Sequence, residues 1–137
     1  MKYRLFLILL LSFGCTHAQE IKVTKTEDYD LVYLINRIKE LSDKKTDDLS
    51  IRIFSVDNLP GSAGYPSGEV THDLLIAVSE YDEVPEQSLF QISSLFNPKI
   101  KEWNTETDEP KVIIEYGPYD EKKDLVLRID LQKVEIE

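Results

Sequence analysis

Residues 26–45 read TEDYDLVYLINRIKELSDKK, and the fold expected for the chain turns on how this stretch is read. Thr24 and Glu27 have the spacing of a capping box, and Glu27, Asp28 and Asp30 put negative charge where a first helical turn prefers it. Leu31, Ile35, Ile38 and Leu41 recur at steps of three and four, which forms one apolar stripe on a helix. Arg37, Lys39 and Glu40 fall mainly off that stripe, and Lys44 and Lys45 suit a helix C-terminus. The spacing predicts a helix over 26–45, preceded by a short lead-in at 20–25.

C-terminal to this stretch the apolar period changes from about 3.6 to 2. Leu49, Ile51 and Ile53 alternate with Ser50, Arg52 and Phe54, and Leu74, Ile76 and Val78 share a face with His72 within Val70–Tyr81. Between them DNLPGSAGYPSG, residues 57–68, has no periodicity and reads as a long loop. Shorter strands are expected at Leu89–Ile92 and Ile100–Trp103, with Asn97-Pro98 turning between them. Val112–Tyr116 and Leu125–Ile136 make a last pair joined by GPYDEKK, with the apolar phase slipping near Gln132. Short connections favour antiparallel pairing. The expected fold class is α+β, one N-terminal helix on a mostly antiparallel sheet of five or six strands, with a β-sandwich carrying an extra helix as the alternative.

The N-terminus, MKYRLFLILLLSFGCTHAQ, places Lys2 and Arg4 before an apolar run from Leu5 to Phe13 and then small and polar residues. This is the layout of a secretory signal peptide, and the run is far short of the roughly 20 residues that span a bilayer. A cut after Ala18 leaves one domain over 19–137, in the periplasm or outside the cell. The stretch up to Cys15 also partly resembles the lipidation motif of bacterial envelope lipoproteins: Gly14 fits, whereas Phe13 and Ser12 depart from it. Cys15 is therefore the candidate lipid anchor in the alternative processing route.

All 26 acidic residues follow the leader while Lys2 and Arg4 leave with it, so fourteen basic residues remain and the mature net charge is −12. Such a field repels phosphate backbones and anionic membranes, which disfavours nucleic acid as a partner. With Cys15 the only cysteine, no internal disulfide exists, and a Cys–His nucleophile is excluded from the mature chain. Of the two histidines His17 leaves with the leader, and His72 alone is too few for an ordinary zinc site. No glycine-rich phosphate loop, HExxH or GxSxG motif occurs. No cofactor and no metal is expected, and no catalytic residue is assigned. Asp73 adjoins His72, but neighbours on a strand point to opposite faces, so the two do not make the bond a catalytic triad requires.

In a simple meander the helix-to-strand turn (Asp43, Asp47, Asp48), the loop with Asp82, Glu83 and Glu86, and the loop with Glu106, Asp108 and Glu109 fall on one rim. A rim so charged suits a protein partner with a basic surface. The opposite rim carries Tyr65 and Tyr119, which with Trp103 are candidates for stacking on sugar rings. A binding domain acting by contact with another protein, as inhibitor, immunity factor or accessory, is thus the leading expectation. A glycan-binding accessory is the alternative, and a small hydrolase built on His72 and carboxylates is third. The two final strands, apolar on one face, offer edge-to-edge pairing as a further mode of contact.

Overall fold

The computed structural model describes residues 23–58, 70–106 and 109–137. The leader with Cys15, and the two site residues Tyr65 and Asp108, lie outside the described residues. Among the described residues one short helix, α1 (Tyr29–Ile35), is followed by eight strands: β1 (Ile38–Lys45), β2 (Leu49–Asp57), β3 (Thr71–Glu80), β4 (Gln87–Phe96), β5 (Lys99–Asn104), β6 (Lys111–Tyr116), β7 (Lys123–Ile129) and β8 (Val134–Ile136). They form two four-stranded antiparallel meanders, β1-β2-β3-β4 and β5-β6-β7-β8.

One core lies between the two sheets, and its composition follows from the alternation of the central strands. Ile51 and Ile53 come from β2, Leu74, Ile76 and Val78 from β3, Val112 and Ile114 from β6, and Leu125, Leu127 and Ile129 from β7, with Leu131 closing one end. Each set is spaced by two, so each strand lays one face inward and the other toward solvent. The edge strands contribute only partly buried side chains, among them Leu41, Phe90, Ile92, Ile100 and Trp103.

The α+β expectation is overturned, since the chain is mostly β. The predicted helix over 26–45 ends after seven helical residues. Asp28, not Thr24, caps it: Leu31 N–H donates to Asp28 Oδ1 at 3.0 Å, and Asn36 ends it by donating its side-chain amide to Val32 O at 2.8 Å. The helix buries no residue; Leu31 is 47% and Ile35 61% exposed. The apparent stripe therefore belongs to two elements. Ile38 pairs with Val56, whereas Leu41 packs against the core. A β-bulge between Glu40 and Ser42 inserts one extra residue into β1. That insertion lets an edge strand show a three-residue apolar step that imitates a helix.

Two further expectations change. Leu125–Ile136 is a hairpin rather than one strand: Asp130 N–H donates to Lys133 O at 2.9 Å and the chain reverses near Gln132, where the phase slips. The final long strands are also not edges, because β6 and β7 occupy the middle of their sheet.

Single residues fasten the two sheets together at their borders. Trp103 Nε1 on β5 donates to Ser42 Oγ on β1 at 3.1 Å. Gly117, in the β6–β7 turn, donates its N–H to Phe96 O at the end of β4, at 2.9 Å. Its φ of +122° is one that residues with a Cβ rarely adopt, and a Cβ there would lie 2.2 Å from Glu121 O. Gly117→Ala is therefore expected to cost about 1–3 kcal/mol or more in unfolding free energy, measured by urea denaturation.

Candidate functional site

Strand direction decides which connections meet. Each meander sends alternate turns to opposite ends, so β1–β2, β3–β4, β5–β6 and β7–β8 turn at one end and β2–β3, β4–β5 and β6–β7 at the other. Across the first end Asp47 and Asp48 line a cleft of about 380 Å³ with Thr105, Glu106 and Pro110. Gln132 Nε2 donates to Glu86 Oε1, which ties the β3–β4 loop to the β7–β8 turn. Asp82 and Glu83 are exposed on that loop, where Glu83 N–H donates to the Asp82 carboxylate.

One cation, Lys45, lines this cleft with the carboxylates, and several others are engaged in pairs of their own. Arg128, on β7, pairs with Glu135 and lies 3.1 Å from Glu109 Oε2. Lys111 pairs with Glu137 at 2.8 Å and Lys101 with Asp124 at 2.8 Å. Lys133 and Arg128 together hold the Glu135 carboxyl below the usual carboxylate range. Asp47, Asp48, Asp82, Glu83 and Glu106 enter no ion pair among the described residues. Asp43 departs from the expected set, since it lies within β1 opposite Arg52. Glu109 departs in another way, being paired with Arg128.

Of the expected sugar-stacking residues, Tyr65 lies outside the described residues, and the other two lie apart. Trp103 is half-buried against the core with its ring nitrogen bonded to Ser42, near the acidic end. Tyr119 is 91% exposed in the β6–β7 turn at the other end. The two rings therefore do not share a surface.

His72 has a carboxylate partner that reading along the chain misses. Its cross-strand neighbour is Asp57, and Nε2 lies 3.1 Å from Asp57 Oδ1. The signal was available only through the β2–β3 register, which a sequence with a long loop between the strands does not fix. Asp57, His72 and Asn97 line both of two adjoining clefts, of about 550 and 500 Å³. Ser55 lines the larger one, but His72 Nδ1 has no hydrogen-bond partner among the described residues. Among the described residues the dyad has no hydroxyl set against its second nitrogen, the contact a serine nucleophile needs.

Asp73 faces away from His72 and is a structural knot. Its Oδ1 accepts from Asn58 Nδ2 at 3.0 Å and from Ser94 N–H at 2.9 Å, and its Oδ2 from Gln91 Nε2 at 2.8 Å. Burial opposes its charge most strongly, yet the bonds from Asn58, Ser94 and Gln91, with Arg37 nearby, hold its carboxyl below the usual range. Among the described residues no group of three or more His, Cys, Asp or Glu side chains is placed to hold a metal ion, and no helix is long and apolar enough to cross a membrane. No protein-family model, curated protein or solved structure matches the chain.

Proposed function

We propose that the chain is an exported binding domain that works by contact, docking a protein with a basic surface on its acidic end. The observation that carries this reading is the set of carboxylates on three separate connections, Asp47 and Asp48, Asp82 and Glu83, and Glu106, none of them ion-paired within the described residues. Carboxylates on one end of a −12 domain add their fields, attract a cationic surface before contact and repel acidic competitors. Such attraction between exposed charges is screened within about 10 Å at 0.1 M salt, so capture falls as salt rises.

The test is capture of a partner from native envelope extract by the exported chain at low and moderate salt. Reversing Asp82, Glu83 and Glu106 to Lys is expected to weaken capture at least tenfold, about 1.4 kcal/mol, without changing thermal stability. Undiminished capture by the reversed protein would dismiss the acidic end as the docking surface. The glycan reading has only the exposed ring of Tyr119 behind it among the described residues, since Trp103 is half-buried against the core.

A further inference from the structure

Among the described residues four strands end the two sheets, and three of them are blunted. β1 carries Lys39, Glu40, Asp43, Lys44 and Lys45, is interrupted by its bulge, and is fastened to β5 through Ser42 and Trp103. β5 carries Lys99, Lys101 and Glu102 and a bulge of its own. β8 is three residues long and bears Glu135. Charge, bulges and shortness are the usual means by which an edge is kept from pairing.

β4 has almost none of these. Its ten residues, QSLFQISSLF, include no charge and no proline, in a chain that carries 42 charged residues. Its one irregularity lies toward its end, where Ser94 adopts φ 63° and the register with β3 shifts. Gln87 to Ile92 is therefore a straight, uncharged edge. Leu89 is 65% exposed on it and lines a shallow cleft with the exposed Tyr81 of the preceding turn.

The direction of the free backbone groups follows from the hairpin. Glu80 N–H donates to Glu86 O at 3.2 Å, which makes 80 and 86 a hydrogen-bonded pair. Such pairs alternate along an antiparallel ladder. Ser88, Phe90 and Ile92, opposite Val78, Ile76 and Leu74, then direct their N–H and C=O groups at β3. Gln87, Leu89 and Gln91 direct theirs at the open side.

We propose that this edge pairs with the same edge of a second copy, antiparallel about a two-fold axis at Leu89. Leu89 then opposes Leu89, and Gln87 opposes Gln91 of the copy. The free backbone groups of each strand are satisfied by the other, and the sheet runs on through the interface. Charge selects a second copy and this orientation. A chain this acidic approaches itself only along a surface without charge. Antiparallel pairing also sets the two β3–β4 turns, with Asp82, Glu83 and Glu86, about 40 Å apart at ~3.4 Å per residue, several times the ~10 Å screening length at 0.1 M salt. Parallel pairing would put them side by side. The inference does not rest on the acidic end binding a partner; it makes the protein bivalent if that end does.

Sedimentation velocity of the exported chain is expected to give twice the monomer mass, and Leu89→Lys half of that, because two ammonium groups would meet on the axis. Gln87→Lys combined with Gln91→Lys, both exposed positions that oppose each other across the axis, serves if Leu89→Lys lowers the melting temperature. Mixing Leu89→Lys with Leu89→Glu is expected to restore the dimer, which a misfolded variant cannot do. In a Cys15→Ser background Leu89→Cys supplies the only thiol in the chain. Hydrogen-bonded partners lie about 5.5 Å apart at Cα, within disulfide reach, so oxidation is expected to link the copies. A monomer at all concentrations, a dimer indifferent to charge at Leu89, or a monomer that accepts only a strand from another protein overturns the proposal.

Discussion

Leu127→Ala is expected to lower the unfolding free energy by about 2–5 kcal/mol, while Leu31→Ala and Ile35→Ala change it by less than about 0.5 kcal/mol. Leu127 is fully enclosed on a central strand, among side chains contributed by both sheets. Truncating it removes methyl groups from a close-packed interior that relaxes only in part, so lost burial and a residual cavity add together. Leu31 and Ile35 belong to a helix that buries nothing, so their truncation removes little. Urea denaturation of the three variants reads the contrast directly. Under a helix-on-sheet arrangement the order would differ, because Leu31 and Ile35 would line the helix–sheet contact and cost nearly as much as Leu127. Equal losses at all three positions would therefore restore the helix as a core element and reject the two-sheet core.

That contrast marks where the sequence was legible. The central strands announce themselves, since Ile51 and Ile53 flank Arg52, and Leu125, Leu127 and Ile129 recur at a step of two, and all are buried as alternation requires. Edge strands carry weaker signals, because a strand half open to water tolerates charge at most positions. β1 is the extreme case: five of its eight residues are charged, and its bulge breaks the period of two. Its preference is decided by β2, whose outer side needs a partner, and a window of twenty residues does not contain β2. The same limit hid Asp57 from His72, whereas the reading of β7 ran on into β8 because the turn at 130–133 carries neither glycine nor proline. Where the expected site depended only on meander order, as for Asp47, Asp82 and Glu106, the connections do lie at one end. Where it depended on side-chain direction, as for Trp103, no rule of spacing revealed the hydrogen bond to Ser42.

Asp73→Ala is expected to cost about 2–3 kcal/mol, as a carboxylate accepting several hydrogen bonds is removed and its donors are left to solvent. Asp73→Asn, which keeps an acceptor for Asn58 and Ser94 but turns a donor toward Gln91, is expected to cost about 1 kcal/mol. The carboxylate does more than join side chains. Ser94 sits at φ 63°, and its N–H is held by Asp73 Oδ1 across the strand pair, so the charge fixes the bulge that shifts β4 against β3. Its folded pKa is depressed, so its stabilisation is fully present above the unfolded value near 4 and is lost as pH falls through the folded one. The wild-type protein should accordingly lose stability on acidification below about pH 4 more steeply than Asp73→Asn. Denaturation midpoints of both proteins through the acid range measure the difference. Parallel curves would mean that the charge contributes nothing beyond its shape, and that the bulge is held by the backbone alone.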